Sequence, residues 1–228
     1  MQVKCYEARL SHETDKIAVI TASISLGAYY SPVIRAKVQY TVYAEGGLVI
    51  KFDVKVKESA PPLPRFGLEI IMPEKTENMR YFGLGPMESY ADKRLVAQMG
   101  VFSSTVTDNY EPYIRPQENS SHSDVKWAIV SSVAGHGLLF ATTGQDFIFN
   151  ASHYSAKTLT ETAYRQDLCL SPLTYVYIDY KQAGIGSNSC GPELSPKYLF
   201  DEKEFSFSFR LMPVFANDAD PFEEIKRS

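Results

Sequence analysis

Apolar and polar residues alternate with a period of two along much of the chain. Lys37-Val38-Gln39-Tyr40-Thr41-Val42-Tyr43 alternates, Ala44-Glu45-Gly46-Gly47 interrupts, and Leu48–Lys57 alternates again. In the second run Lys51, Asp53, Lys55 and Lys57 share one face and Ile50, Phe52, Val54 and Val56 the other. Two such runs about a glycine pair predict a β-hairpin with one face on a core and one in water.

The same reading predicts strands at Ile17–Ser25, Arg65–Met72, Trp127–Ser132, Gly137–Thr142, Phe147–Ser152, Leu173–Tyr180 and Glu204–Met212. In the last, Phe205, Phe207, Phe209 and Leu211 alternate with Ser206, Ser208 and Arg210. Helical spacing is confined to Lys157–Gln166 and Asp220–Lys226, and Ala91–Gln98 fits neither period. Gly83-Leu84-Gly85 lacks the third glycine and the following helix of a dinucleotide fingerprint, so it is expected to be a turn. Pro61-Pro62-Leu63-Pro64 breaks the pattern only briefly, and strands resume on both sides. One all-β domain over residues 1–216, an antiparallel sandwich, is therefore expected, followed by a polar tail at 217–228.

At 228 residues the chain is long enough to bury a self-sufficient core. Its formal net charge of −4 excludes a global basic field, so no nucleic-acid partner is expected. No apolar run approaches the roughly 20 residues that span a bilayer, so no membrane partner is expected either. The first ten residues, MQVKCYEARL, contain no apolar secretory segment. Cys5, Cys169 and Cys190 are odd in number and widely spaced, which fits neither a disulfide framework nor a zinc site. Free thiols and a cytoplasmic location are expected.

No nucleophile elbow, P-loop, zincin helix or C-x-x-C pair is present. His122 falls in a polar loop and His136 in a Gly-His-Gly turn, where surface positions are expected. Asp108, Glu111 and Glu118 flank a loop rich in Tyr, Pro and Arg. Paired carboxylates are the machinery of glycoside hydrolysis, but beside Arg115 and Lys126 ion-paired structure is the simpler expectation. The 15 Tyr and 13 Phe, with neighbouring amides and carboxylates, are also the chemistry of sugar binding. Gly184-Ile185-Gly186-Ser187-Asn188-Ser189-Cys190-Gly191-Pro192 reads as a glycine-rich loop that presents short polar side chains to a ligand or a partner domain.

Four blocks carry a resemblance. Tyr81-Phe82-Gly83-Leu84-Gly85-Pro86-Met87-Glu88-Ser89-Tyr90-Ala91-Asp92-Lys93 resembles the W-x-G-x-G-P-x-E-N-Y-x-D-R block of bacterial β-galactosidases of glycoside hydrolase family 2. Tyr113-Ile114-Arg115-Pro116-Gln117-Glu118-Asn119 resembles their Y-I-R-P-Q-E-N, and Ser152-His153-Tyr154 their S-H-Y. Asp179–Gly186 with Ser189-Cys190-Gly191-Pro192 resembles D-x-x-Q-x-G-[IV]-G-G-D-D-S-W-x-P. The resemblance is to the C-terminal small-chain region alone. It implies a galactose mutarotase-like antiparallel β-supersandwich that packs on a catalytic (β/α)8 barrel. The family's two catalytic glutamates lie on that barrel, which needs about 250 residues of its own. Glu88, Asp92, Arg115, Glu118 and His153 are then expected to be structural, joined in hydrogen-bonded networks that order the loops.

The resemblance further implies that Asn188, Ser189 and Cys190 reach the aglycone rim of the galactoside pocket, with Cys190 at the position of the family tryptophan. It implies no cofactor in this chain, the Mg and Na ions of the family belonging to the rest of the enzyme. It also implies that the chain starts inside the domain or close to its start, since the family's W-R-A-P-T-D-N-D segment is absent. A free-standing carbohydrate-binding module and a mutarotase-like enzyme built on a His–Glu pair remain the alternatives.

Overall fold

A computed structural model of the protein describes residues 2–186, 193–216 and 220–226. Thirteen strands follow in order: β1 Gln2–Glu13, β2 Ile17–Ala28, β3 Ser31–Tyr43, β4 Leu48–Val56, β5 Arg65–Met72, β6 Thr76–Gly85, β7 Gln98–Thr105, β8 His122–Val125, β9 Trp127–Ser132, β10 His136–Thr142, β11 Phe147–Ser152, β12 Thr174–Gln182 and β13 Glu204–Phe215. Two short helices, α1 Ala156–Glu161 and α2 Pro221–Lys226, complete the described elements together with two 3-10 turns. The strands form a nine-stranded sheet, β1-β2-β3-β4-β13-β10-β9-β6-β7, and a four-stranded sheet, β5-β12-β11-β8. Neighbours within both sheets are antiparallel, the architecture expected from the alternating pattern.

The β3–β4 hairpin turns at Gly46, whose φ of +99° suits glycine, and its register pairs Val42 with Leu48 and Ile34 with Val56. Ile50, Phe52, Val54 and Val56 are buried while Lys51, Asp53 and Lys55 are exposed. Rings link the sheets: Phe52 lies 5.7 Å from Phe66 of β5, and Tyr81 of β6 lies 5.8 Å from Phe149 of β11. Each fully buried Phe or Ile side chain in this core contributes about 1.5–3 kcal/mol.

Three strand readings and one helix reading need correction or addition. Gly83-Leu84-Gly85 is the end of β6, not a turn. A Cβ on Gly83 would lie 2.6 Å from Val125 Cγ2, and one on Gly85 would meet the Tyr81 hydroxyl, so these glycines admit close packing. Strand β7 begins within the ambiguous Ala91–Gln98 segment, of which the rest is loop. Strand β1 is an exposed edge whose alternation is broken by register shifts at Cys5/Glu7 and Leu10/His12. The helix expected over Lys157–Gln166 is only one and a half turns long. Ser155 caps it through the Thr158 amide, but Thr160 and Thr162 turn their hydroxyls back onto the Ala156 and Thr158 carbonyls, and Thr162 is extended.

Strand β9 is buried on both faces. Trp127, Ile129, Leu139 and Ala141 form a second apolar cluster apart from the main core. Phe222 of α2 meets the Trp127 ring edge-on at 5.6 Å, so the C-terminal segment folds back onto the sheet at this point.

Candidate functional site

Three of the four motif blocks converge around the loops at one end of the sheets, while Ser152-His153-Tyr154 lies toward the other end of β12. Strand β5 supplies Arg65, β12 supplies Asp179 and Gln182, β11 supplies Asn150, and the segments 86–97 and 106–121 supply Glu88, Tyr90, Asp92, Lys93 and Glu118. Their side chains form three linked networks.

Arg65 is the hub of the first. Its Nη2 and Nε donate to Asp179 Oδ2 at 2.5 and 3.0 Å, its Nη1 donates to Glu118 Oε2 at 2.7 Å, and its guanidinium lies 4.5 Å over the Tyr177 ring. Glu118 Oε1 accepts from Ser121 Oγ, Tyr90 OH and Asn150 Nδ2, and Gln182 Nε2 donates to Asp179 Oδ2. Burial raises the pKa of Asp179, with Arg65 and Gln182 opposing. Burial alone would lower the pKa of Arg65, but Asp179 and Glu118 outweigh it and hold the cation firmly. Gly67 leaves room for this arrangement, because a Cβ there would meet Asp179 Oδ1 and the Ile178 carbonyl.

Glu88 centres the second network. Its Oε1 accepts from Lys93 Nζ at 2.5 Å and from the Tyr113 hydroxyl, and its Oε2 accepts the Ser120 amide at 2.6 Å. Burial would lower the pKa of Lys93; Glu88 and Tyr113 raise it instead. Both Glu88 and Glu118 thus spend their oxygens on internal donors, the use made of buried acids that order loops.

The third network reaches the glycine-rich loop. Asp92 accepts the backbone amides of Ile185 at 3.0 Å and Gly186 at 2.8 Å. A Cβ on Gly184 would lie 2.6 Å from Asp92 Cγ, so glycine is required for this approach. Asp92 from the first motif therefore fixes the root of the fourth. Asn188, Ser189 and Cys190 lie outside the described residues. Beside the root a cleft of 230 Å³ opens between Arg65, Gln117, Glu118, Gln182 and Ile185. That is below the several hundred Å³ of a complete small-ligand site.

His153 is paired through both ring nitrogens. Its Nε2 lies 2.8 Å from Glu77 Oε2 and its Nδ1 lies 3.1 Å from the Leu173 carbonyl. Burial would raise the pKa of Glu77, but Thr107 and His153 pull it below its usual value. This His–Glu pair ties β6 to the segment that follows β11.

Two expectations are corrected. Arg115 is exposed and makes no hydrogen bond or ion pair among the described residues, so it takes no part in the networks. Arg65, hidden behind the Pro61–Pro64 breaker, holds the position the sequence assigned to it. His122 is not a surface residue but is buried, stacked 4.2 Å from the Tyr81 ring. Its Nδ1 faces the Tyr81 hydroxyl and its Nε2 faces Asn109 Oδ1, both at 2.9 Å. Burial pushes its pKa down to about 4. Asp108 and Glu111 line a 200 Å³ cleft with Tyr110, separate from the one beside Glu118. Cys5 and Cys169 are free and exposed. Among the described residues no three His, Cys, Asp or Glu side chains cluster as a metal site, and no helix is long and apolar enough to cross a membrane.

The described residues thus form an antiparallel two-sheet domain whose loops are tied by internal acid–base networks. Residues 1–211 match the family model described as "Beta galactosidase small chain", and the chain belongs to that family. It is 43% identical over 180 residues to a β-galactosidase of Staphylococcus xylosus, covering 79% of this chain and 18% of that protein. It is 31% identical over 209 residues to a β-galactosidase of Actinobacillus pleuropneumoniae, covering 92% of this chain and 20% of that protein. The chain thus spans about a fifth of the length of these relatives. Among solved structures, a putative aldose 1-epimerase of Escherichia coli overlaps 92% of this chain and 69% of its own at 10% identity and a TM-score of 0.40. A GalM/aldose epimerase homologue of C. elegans gives the same coverage and identity and a TM-score of 0.42. These are partial overlaps from which nothing is concluded.

Proposed function

We propose that the chain is the C-terminal, non-catalytic module of a β-galactosidase. It packs on a catalytic (β/α)8 barrel and lends the loop from Gly184 to Pro192 to the rim of the galactoside pocket. The observation that carries this reading is the latch of Asp92 on Ile185 and Gly186, which joins two family motifs at the root of that loop. The whole enzyme would hydrolyse terminal β-D-galactosides with retention, through two barrel carboxylates about 5–5.5 Å apart. Mg and Na ions, where the enzyme uses them, would sit with the barrel.

The occupied nitrogens of His153 speak against a mutarotase-like enzyme, and the small cleft beside Glu118 speaks against a self-contained galactose site. Titration with galactose and lactose separates the readings. The module reading expects no saturable binding to the isolated chain, whereas clear saturation would favour a free-standing sugar-binding domain. In the full enzyme, Cys190→Trp should restore a stacking surface and tighten aromatic aglycones by about 1 kcal/mol. An unchanged KM for every aglycone would show that the loop does not reach the subsite.

A further inference from the structure

The chain also carries a cavity remote from the motif networks. A groove of 790 Å³ crosses β1, β2, β3, β4 and β13 on the face of the long sheet turned away from the core. Tyr6, Arg35, Lys37 and Lys55 line it, with the hydroxyls of Ser23 and Ser206 between them.

The charges are unevenly spent. Lys55 pairs with Glu204 at 2.9 Å, and Asp53 is held by Ser206 Oγ at 2.7 Å and Lys51 at 3.3 Å. Arg35 and Lys37 make no ion pair within 4.0 Å among the described residues, although Lys37 stands opposite Asp53 in the β3–β4 register, where after Ser206 and Lys51 it also lowers the Asp53 pKa. Arg35 sits 5.9 Å over the Tyr6 ring, which also lies 4.8 Å from Lys4 Nζ. A chain of net charge −4 thus presents three cations (Arg35, Lys37 and Lys55) against two carboxylates (Asp53 and Glu204), with a half-exposed tyrosine, in one groove. Such a groove selects an anion that also has a face to stack.

The direction of the groove selects the ligand further. It runs across strands spaced about 4.8 Å apart, whereas an extended peptide advances about 3.3 Å per residue. Strands β2, β3 and β4 are already paired on both sides, so a peptide would find no free ladder edge there. A pyranose ring is about as long as one strand spacing, and each ring of a linear sugar would meet one rung. We propose that the groove binds a linear acidic oligosaccharide of the uronate class, with its carboxylates on Arg35 and Lys37 and one ring on Tyr6. The proposal is independent of the β-galactosidase reading.

Calorimetric titration of the chain with a galacturonate oligomer, a neutral galactose oligomer of equal length and polyglutamate tests it. Saturable binding is expected for the galacturonate oligomer alone. Arg35→Gln combined with Lys37→Gln should weaken it at least about tenfold, with an unchanged circular dichroism spectrum. Lys37→Glu alone, which leaves the bond between the Tyr6 and Ser25 hydroxyls untouched, should also weaken it and covers the case in which the double variant misfolds. Absence of saturation, equal affinity for polyglutamate, or binding that folded variants leave unchanged would overturn the proposal.

Discussion

The carboxylate of Asp92 accepts the backbone amide of Gly186 at 2.8 Å, across 94 residues of sequence. With the neighbouring bond to Ile185 it fixes the root of the loop proposed to reach the pocket rim. Asp92→Ala should therefore free this root. Two amide-to-carboxylate bonds on a half-buried side chain are worth about 1–2 kcal/mol together. The expected result is a small loss of global stability with much faster hydrogen exchange at Ile185 and Gly186. Gly184→Ala should reproduce it by pushing Asp92 away. Unchanged exchange at both amides would show that the latch does not order the loop.

The Arg65 network supports a graded prediction. Glu118→Gln keeps the shape but removes one charge partner and should cost about 1–2 kcal/mol. Asp179→Asn leaves the buried guanidinium with Glu118 alone and should cost more, about 3–5 kcal/mol, as expected for breaking a buried pair. Urea denaturation of both variants checks the order. Equal costs would mean that the network does not depend on the buried partner.

His122 gives the fold a sign in pH. Its pKa is depressed from the usual 6.5 to about 4 because burial disfavours the imidazolium. Its contribution to stability is therefore complete above pH 6.5 and is lost as pH falls from 6.5 toward 4, to a total of about 3 kcal/mol. His122→Gln should remove that part of the slope. Denaturation midpoints at pH 7, 5.5 and 4.5 for both proteins measure it. Parallel curves would place the proton elsewhere.

How much of this could be read in sequence follows from which forces act locally. The β3–β4 hairpin and β13 were legible because one face is buried and the other wet, so alternation records burial directly. Strand β1 was not, because both its faces are exposed and its bulges break the period. Strand β6 was mistaken for a turn at Gly83–Gly85, since a glycine that admits a neighbour looks the same in sequence as one that permits a bend. Glu88, Asp92, Glu118 and His153 stand out in sequence through their motifs. Their partners Arg65, Glu77 and Asn150 come from distant strands without local signals, and the polar setting of His122 in sequence hid its burial.

The most direct measurement of the central claim is reconstitution. A barrel-bearing remainder of a family member, such as the Staphylococcus xylosus enzyme without its matching region, is assayed on a nitrophenyl β-galactoside alone and with this chain added. The account predicts no turnover by the chain itself, little by the remainder, and restored activity on mixing, reduced when the chain carries Asp92→Ala. Hydrolysis by the isolated chain, or a remainder equally active with and without it, would contradict the account.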